Sequence, residues 1–427
     1  MQSMAFRAGV LGAGQMGAGI AATLIRSGVS TTMVDVNQDI LDSGSARARQ
    51  LAAGRSKSTT GQADAAESAR IASLLSTSTS SAPLADCNVV IEAVTENEAI
   101  KTGIFEALAG VLRDEAILAS NTSTIPISRM ARSWVHPERF AGMHFFHPAQ
   151  RMELVEVIRG EQTDDQTVTA LVDLSRRLGK TPIVVRDCLG FLVTRVLFPY
   201  LSQALELLLE GVPMDAIDAA AVQFGMPTGP IALYDFIGLD TVLAISRVMA
   251  EGYPDRVQTS PLLVEMVRLG RLGQKSGAGF RKHDRNGSRP AADPAFESLL
   301  RQYQHQHQHQ HHTDSHSPAQ EEITDRLFLP MLLEAIRAVD DGIVRDPADV
   351  DVGVTLGLAF PASRGGILAW CDSEGAGAIM DRSARYNYLG PAFHPPASLS
   401  RMAGTKGSFH APTSPATTVT MPLGPGS

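Results

Sequence analysis

The sequence predicts an α/β domain with a mainly parallel sheet, followed by two all-α domains that duplicate each other. Residues 1–186 alternate short apolar strands with helical segments, the order that builds a parallel sheet. Residues 187–284 are apolar helical segments broken by proline and glycine. Residues 321–408 repeat several of their positions at a constant spacing of 131, which indicates two copies of one structural unit.

The first strand leads directly into a glycine-rich turn. The apolar segment Ala8–Leu11 is followed by a GxGxxG pattern at residues 12–17 and by a helical pattern that extends to Arg26. A second apolar strand, Ser30–Val34, ends beside Asp35. Strand, glycine-rich turn, helix, strand and acid in this order predict a Rossmann-type dinucleotide-binding domain, and they disfavour a glycine-rich turn that binds no ligand.

The residues of the turn have separable roles in such a site. Gly12 permits the tight turn, Gly14 lets the backbone approach a pyrophosphate, and Gly17 lets the helix pack closely on the strand. The helix N-terminus at Gln15 and Met16 favours the phosphate charge. We therefore expect these five residues to bind the cofactor.

Asp35 indicates which dinucleotide binds. Its carboxylate can accept both hydroxyl groups of an adenine ribose and would repel a 2′-phosphate. No arginine follows it directly, since the next residues are Val36 and Asn37. The sequence therefore predicts NAD rather than NADP.

Two further candidates follow the next buried strand. Gln38–Ser80 is polar and rich in Ala and Ser, and we expect it to be a helical segment that lies outside the sheet. Asn88–Val94 is a buried strand, after which Glu96 and Lys101 lie at the carboxyl edge, where ligands bind in open α/β sheets. Taken alone, these two residues are more typical of a solvated helix start.

Three candidate catalytic residues follow in the next strands. The strand Ile117–Ser120 delivers Ser123 to the same sheet edge. Another strand ends at His144, and a short polar turn leads to Met152–Ile158, where Glu156 lies between two aliphatic residues on one buried face. Desolvating a carboxylate is costly unless it has a partner, and His144 is the nearest plausible one.

A histidine held by a buried carboxylate has a fixed tautomer and a raised basicity, as a general base needs. The alternative is a core histidine satisfied by one hydrogen bond. On the His144–Glu156 pair alone, both interpretations stay open.

The helical region begins with an unusually apolar segment. Gly190–Leu209 is apolar almost all round, which is typical of a fully buried helix. Thr194 and Arg195 are polar exceptions near its N-terminus. Further along, the glycine-rich loop Leu272–Phe280 carries Lys275.

Two segments are expected to lack regular structure. Residues 285–320 contain the run QHQHQHQHH, and their low complexity favours a flexible linker over a metal site. Residues 409–427 are rich in Thr, Pro and Gly, and we expect a disordered tail.

Beyond the His/Gln-rich segment the chain repeats itself. Six positions match at a spacing of 131, and after a six-residue shift two more follow. The matched positions are Arg195, Pro199, Ala204, Gly211, Asp215 and Asp218 with Arg326, Pro330, Ala335, Gly342, Asp346 and Asp349, then Asp235 and Gly238 with Asp372 and Gly375. The second copy has no GxGxxG domain before it, which argues against a catalytic role of its own.

Composition excludes several other classes. The 427 residues are 44% apolar and 19% charged, as in soluble proteins with large cores, and the net charge of −8 argues against a nucleic-acid surface. Three cysteines without metal or redox spacing favour a reducing compartment. No apolar run reaches membrane-span length, and residues 1–7 are too short and polar for a signal peptide, so we expect a cytoplasmic protein.

At these motifs the sequence resembles the 3-hydroxyacyl-CoA dehydrogenase family. It is most similar to the dehydrogenase portion of the multifunctional fatty-acid β-oxidation enzymes, over residues 5–284 and 321–408. The matching segments include VLGAGQMGAGIA, VIEAVTENEAIK, SNTST, FAGMHFFHP, ELVEVIRG, DCLGFLVTRVLFPY, FGMPTGPIALYDFIGLD and LGQKSGAGF. The hydratase portion of those enzymes has no counterpart in this sequence, so hydratase activity is not expected.

The resemblance implies NAD on the glycine-rich domain and an acyl-CoA in the cleft against the helical domain. It implies that His144 is the catalytic base, Glu156 its carboxylate partner, and Ser123 a contact of both the substrate oxygen and the cofactor. The further cofactor-binding positions that it implies are Asp35, Glu96, Lys101, His147 and Lys275. The family's single-copy members dimerise through the helical domain, so the second copy resembles a tethered partner.

Three positions depart from the family pattern. Leu189 replaces a proline, His147 replaces an asparagine, and Thr194 replaces the active-site asparagine of GFxxNR. The CoA-contacting positions after the second strand cannot be matched.

The sequence thus predicts NAD-dependent oxidation of a (3S)-3-hydroxyacyl-CoA to the 3-oxoacyl-CoA. One alternative is another hydroxyacid dehydrogenase on the same scaffold, although such enzymes often use a lysine base. The other is a weakly active or non-catalytic homologue that binds NAD or acyl-CoA. A thiolase subunit is left open as a partner, as are the oligomeric state and the acyl chain length.

Overall fold

The computed structural model describes residues 6–53, 69–283, 293–311 and 318–410. Eight strands in these ranges form one sheet: β1 Arg7–Leu11, β2 Ser30–Val34, β3 Leu75–Ser78, β4 Val89–Glu92, β5 Ile117–Ser120, β6 Phe140–Phe145, β7 Leu154–Arg159 and β8 Thr181–Arg186. Their order is β3-β2-β1-β4-β5-β6-β7-β8. Strands β1 to β6 are parallel, whereas β7 is antiparallel to β6 and β8 is parallel to β7. The predicted α/β domain is confirmed.

One strand lies where the sequence predicts helix. Gln38–Ala53 is helical as expected, but β3 at the end of the Gln38–Ser80 segment pairs with β2 at the sheet edge. The prediction is wrong there because the strand sequence LSTS has one buried apolar residue, Leu75, and therefore no hydrophobic alternation to detect. Residues 54–68 of this segment lie outside the described residues.

Helices cover both faces of the sheet. On one face α1 Gln15–Arg26, α2 Gln38–Ala53 and, later in the chain, Asp165–Arg177 share a core with the inward residues of the strands. On the other face α3 Glu98–Leu108 and α4 Ile127–Ala131 begin a second core. This second core continues without a break into the helical region, so the sheet and the helices behind it are packed as one body.

The helical region contains two sets of matching helices. With Asp165–Arg177 as α5, the first set is α6 Val193–Leu209, α7 Met214–Phe224, α8 Pro230–Ile237 and α9 Leu239–Gly252. Two further helices, α10 Pro261–Arg268 and α11 Pro294–His311, connect the sets. The second set is α12 Gln320–Asp340, α13 Pro347–Leu358, α14 Ile367–Glu374 and α15 Ala376–Ala384, and α16 Ala397–Thr405 follows it. Gly238 and Gly375 precede α9 and α15 with φ of 98° and 87°. The predicted duplication is confirmed by this correspondence.

The two copies also end in the same way. Asp235 accepts hydrogen bonds from the amides of Phe280 and Arg281, and Asp372 accepts them from Phe409 and His410. The tail predicted at 409–427 therefore begins too early, since its first two residues are held by the second copy. Residues 411–427 lie outside the described residues.

The two copies pack on each other through α6 and α12, as expected for a tethered pair. Arg195 on α6 lies 2.7 Å from Glu334 on α12, and Arg326 on α12 lies 2.7 Å from Glu210, just after α6. The arginines match each other at the 131-residue spacing, and Glu210 matches Asp341, which also pairs with Arg195 at 2.6 Å.

The His/Gln-rich segment 285–320 is not a linker throughout. Its central part forms helix α11, in which Phe296 is buried and Gln304 Nε2 donates to the carbonyl of Leu208 at 2.8 Å. Its first half has the helical apolar period, in Phe296, Leu299, Leu300 and Tyr303, but the low-complexity His/Gln run that follows favoured a linker, so the prediction missed this helix. Residues 284–292 and 312–317 lie outside the described residues.

Within the described ranges, none of the helices combines the length and the apolarity that a membrane span requires.

Candidate active site

The glycine-rich turn joins β1 to α1 at the carboxyl edge of the sheet. Gly12 has a φ of 94°, and a Cβ there would lie 2.6 Å from the carbonyl oxygen of Ala93. A Cβ on Gly17 would lie 1.8 Å from the Gly12 carbonyl oxygen, so both positions require glycine. In the described chain no heavy atom lies within 4 Å of a Cβ built on Gly14, which leaves open space at the start of α1.

This turn fits a dinucleotide pyrophosphate. Gln15 is exposed and Met16 is half-buried in the first turn of α1, which contains no acidic residue. Among the described residues no side chain caps the amides of this turn. An anion at this helix end would therefore be stabilised by amides that have no competing side-chain partner.

Asp35 lies where β2 ends, beside the turn. Its Oδ2 accepts a hydrogen bond from the Ala13 amide at 2.8 Å, and its Oδ1 accepts one from the Asn37 amide at 3.0 Å. Each carboxylate oxygen keeps a further lone pair for a ribose hydroxyl. The placement fits the predicted preference for a dinucleotide without a 2′-phosphate.

A buried ion pair lies behind the end of β4. Lys101 Nζ is 2.6 and 2.9 Å from the two oxygens of Glu92, and both side chains are almost fully buried. Glu92 also accepts hydrogen bonds from Ser120 Oγ and the Val94 amide. Lys101 Nζ lies 3.4 Å from Glu96 Oε2, so the ammonium links the two carboxylates. A direct cofactor contact by Lys101 stays a prediction.

Glu96 holds the loop that presents Ser123. Its Oε1 accepts hydrogen bonds from Thr122 Oγ1 at 2.6 Å, the Ser123 amide at 2.9 Å and the amide and hydroxyl of Thr124. Burial opposes ionisation, but the charge of Lys101 and these hydrogen bonds outweigh it and hold the pKa of Glu96 below its ordinary value. Glu96 is therefore placed to orient Ser123, whether or not it also contacts the cofactor.

Ser123, His144 and Glu156 form one chain of hydrogen bonds. His144 and Glu156 are directly opposite each other in the antiparallel pair of β6 and β7. His144 Nδ1 lies 2.8 Å from Glu156 Oε2, and Ser123 Oγ lies 3.1 Å from His144 Nε2. An ionised carboxylate can only accept, so Nδ1 carries the proton and Nε2 is left as an acceptor facing Ser123.

The other oxygen of Glu156 is bound by the start of α6. Its Oε1 accepts hydrogen bonds from the amides of Leu192 at 3.1 Å and Val193 at 3.0 Å. The carboxylate is fully buried, and these two amides with the imidazole supply the partners that such burial requires. The first helical copy thus completes the site that the sheet begins.

A strained turn sets this geometry. The sequence predicts a helix from Gly190, but α6 begins at Val193 because Gly190 and Phe191 have left-handed backbone, with φ of 72° and 49°. The turn leaves the amides of Leu192 and Val193 free for Glu156. It also places the Phe191 ring 5.8 Å from the His144 ring, between centroids.

Thr194, His147 and Lys275, the other predicted site residues, are not part of the hydrogen-bonded chain of Ser123, His144 and Glu156. Thr194 is half-buried in the first turn of α6, next to the two amides that bind Glu156. His147 is exposed in the turn after β6. Lys275 lies in the glycine-rich loop of the helical region, where its Nζ is 2.5 Å from Asp240. A cofactor contact by His147 or Lys275 stays a prediction.

Sequence reasoning missed two features of the site. Glu92 carries the same signal as Glu156, since it is a carboxylate within the apolar strand VVIE, and that signal could have identified it. The amides of Leu192 and Val193 carry no side-chain signal, so no residue pattern could have shown that they bind Glu156.

Comparisons with known families agree with this geometry. The model of the 3-hydroxyacyl-CoA dehydrogenase NAD binding domain matches residues 7–188, and the model of the C-terminal domain of the same family matches residues 190–283.

Solved structures show the same relationship. A 3-hydroxybutyryl-CoA dehydrogenase from Escherichia coli is 26% identical, with 94% of this chain and 99% of that chain covered and a TM-score of 0.80. The (S)-3-hydroxybutyryl-CoA dehydrogenase PaaH1 from Ralstonia eutropha is 37% identical, over 65% of this chain and 99% of that one, with a TM-score of 0.61. The dehydrogenase part of multifunctional enzyme 1 from C. elegans, 23% identical over 93% and 89% of the chains with a TM-score of 0.63, shares the fold. The chain therefore belongs to the 3-hydroxyacyl-CoA dehydrogenase family of NAD-dependent oxidoreductases.

Proposed function

We propose that this chain oxidises (3S)-3-hydroxyacyl-CoA to 3-oxoacyl-CoA in fatty-acid β-oxidation, with His144 as the general base. The observation that carries this proposal is the hydrogen-bonded chain of Ser123, His144 and Glu156 beside the dinucleotide-binding edge. A cytoplasmic location and a thiolase partner belong to the same proposal.

In this mechanism His144 Nε2 accepts the proton of the 3-hydroxyl group while the hydrogen at C3 leaves as hydride. Bound NAD supplies the hydride acceptor, and the turn of residues 12–17 with Asp35 would hold it. Ser123 Oγ donates a hydrogen bond to the substrate oxygen and orients it toward His144. Glu156 fixes the imidazole through Nδ1 and stabilises the positive charge that forms on the ring.

Two alternatives differ in what they require of these residues. Another hydroxyacid dehydrogenase on this scaffold would often use a lysine base, and the His144–Glu156 pair speaks against that alternative. A non-catalytic homologue would bind NAD without turnover, and Thr194 in place of the family asparagine is the feature that favours this alternative.

The direct test of the proposal is oxidation of (3S)-3-hydroxybutyryl-CoA, followed at the nicotinamide absorbance, with NAD and NADP in separate assays. We expect turnover with NAD and an efficiency at least about tenfold lower with NADP, because Asp35 repels the 2′-phosphate at close range. Equal efficiency with both cofactors would contradict the role of Asp35. Absence of turnover with either would contradict the substrate assignment.

Thr194 provides a second prediction. Asparagine offers two donors and an acceptor, whereas threonine offers one shorter hydroxyl, so one contact toward Ser123 or the substrate is expected to be missing. One such hydrogen bond in a dry site corresponds to about 1–3 kcal/mol, or roughly ten- to a hundredfold in rate. Thr194→Asn should therefore raise kcat/KM by roughly this factor, with NAD affinity unchanged.

The matched control is Thr241→Asn, an exposed threonine in the first turn of α9. It should leave kcat/KM unchanged. A gain in both variants, or in neither, would refute the assignment of Thr194 to the substrate side of α6.

A further inference from the structure

The second helical copy lies directly behind the catalytic carboxylate. Helix α13 of this copy carries two glycines toward the first domain, and a Cβ on Gly357 would lie 2.9 Å from Val193 Cγ1 and 3.0 Å from Leu154 Cδ2. A Cβ on Gly353 would lie 3.1 Å from Leu192 Cδ2. Leu192 and Val193 are the residues whose amides bind Glu156, so the second copy packs against the support of the catalytic pair.

A buried arginine fastens the start of α6 to the same copy. Arg195 Nε lies 2.7 Å from Glu334 Oε1, and Arg195 Nη2 lies 2.6 Å from Asp341 Oδ2. Arg195 and Glu334 are almost fully buried. Loss of Glu334 would leave this buried guanidinium with the half-exposed Asp341 as its acidic partner, so the buried contact with Glu334 restrains where α6 begins.

The same arginine steadies the turn that precedes α6. Its guanidinium lies over the ring of Tyr253, 4.8 Å from the centroid, and Tyr253 Oη donates to the carbonyl of Leu189 at 3.4 Å. The Arg195 amide donates to the carbonyl of Gly190 at 3.1 Å. Leu189 and Gly190 begin the left-handed turn, so both ends of the segment that carries the two amide donors are held.

The second helical copy contains a matching buried arginine that has no active site beside it. Arg326, which matches Arg195, pairs with Glu210 and lies 3.4 Å from Gln203. Its preceding residues lie inside α12, where their amides belong to the helix and face no catalytic carboxylate. At the 131-residue spacing Glu210 matches Asp341 and Gln203 matches Glu334, so the Arg326–Glu210 pair serves as an internal control for the loss of an acidic partner from a buried arginine with no catalytic carboxylate beside it.

We propose that Glu334 is a positioning residue for the dehydrogenase reaction, acting from the second helical copy. Through Arg195 it holds the first turn of α6. That turn presents the two amides to Glu156, and Glu156 in turn fixes His144. The second copy is thereby a structural part of the active site of the first. This inference rests on the proposed function.

The test compares Glu334→Gln with the control Glu210→Gln. Both variants remove one acidic partner of a buried arginine, so both should unfold at lower temperature. Arg195 keeps Asp341 in Glu334→Gln, which also removes an ion-pair partner of Arg256 and Arg337. Assayed well below those temperatures, Glu334→Gln should lower kcat about tenfold with little change in NADH affinity, whereas Glu210→Gln should keep the wild-type kcat. Equal effects of the two variants on kcat would overturn the proposal.

A second readout does not depend on turnover. The ring ¹⁵N chemical shifts of His144, assigned with His144→Ala, report which nitrogen carries the proton and how firmly it is held. They should change in Glu334→Gln and stay at the wild-type values in Glu210→Gln. Unchanged shifts in both would overturn the proposal. If wild type shows no turnover, the proposed function is refuted. The His144 ring shifts of the two variants then test by themselves whether Glu334 positions His144.

Substitution of two glycines provides a further test if Glu334→Gln does not fold. Gly357→Ala brings a methyl group against Val193, whereas no described heavy atom lies within 4 Å of a Cβ built on Gly377, in α15 of the same copy. Alanine is a better helix former than glycine at both positions, so the two variants differ in whether the new methyl group meets a neighbouring side chain. Gly357→Ala should lower kcat several-fold and shift the His144 ring signals, while Gly377→Ala should do neither. The same response from both variants would contradict the proposal.

Discussion

Replacement of His144 by alanine is expected to lower kcat by at least about 10²-fold, the usual scale for a positioned acid–base group. In the structure Nε2 of this ring is the acceptor that faces Ser123, and a methyl group cannot take up the hydroxyl proton. NAD affinity should stay within about twofold, because the turn of residues 12–17 and Asp35 lie on other strands. Stopped-flow reduction of acetoacetyl-CoA by NADH, with a separate cofactor titration, measures both quantities.

The control for this variant is His136→Ala. His136 lies in the same domain, and its partners are the surface acids Asp114 and Glu138 rather than a buried carboxylate. It should keep wild-type turnover. Near-normal kcat in a folded His144→Ala protein would show that His144 is not the general base.

The second large effect is expected from Glu156→Gln, which should lower kcat by up to about 10⁴-fold, the loss that follows when the aspartate of a Ser-His-Asp triad becomes an asparagine. The amides of Leu192 and Val193 require an acceptor, so the glutamine carbonyl must face α6. Its NH₂ group then faces His144 Nδ1. That nitrogen must become the acceptor, which moves the proton to Nε2 and abolishes the base.

Asp187→Asn is the matched control for this substitution. Asp187 is a half-buried carboxylate directly after β8 that accepts hydrogen bonds from two amides at the start of α4, Ile127 at 3.0 Å and Ser128 at 2.7 Å. Burial raises the pKa of this carboxyl, as expected for a desolvated acid. Both variants should be less stable to heat, but Asp187→Asn should keep kcat. An equal loss of kcat in both would show that Glu156 acts through stability alone.

The candidate pair could be predicted from the sequence because it depends on local rules. The two-residue period of a strand places Glu156 on the same face as Leu154, and a buried carboxylate needs a partner. The short turn before β7 limits the choice to residues near the end of β6. The structure confirms this reasoning, since His144 and Glu156 are register partners.

What could not be predicted lies in contacts between distant parts of the chain. The amides of Leu192 and Val193 have no side-chain signature, and their approach to Glu156 depends on a left-handed Phe191 that no local rule favours. The contact of Arg195 with Glu334 joins residues that are distant in sequence, although the repeat had already indicated that the two copies match. Edge strand β3 was missed for lack of an apolar alternation, and helix α11 because its low-complexity second half favoured a linker.

The measurement that tests the central claim most directly is reduction of acetoacetyl-CoA by NADH, followed at the cofactor absorbance, in parallel with NADH binding. Wild type, His144→Ala and Thr194→Asn are compared under the same conditions. We expect all three proteins to bind NADH, wild type to turn over, His144→Ala not to do so at a comparable rate, and Thr194→Asn to be faster. Tight binding of NADH by all three proteins without turnover by any of them would contradict the proposed function and favour a cofactor-binding protein.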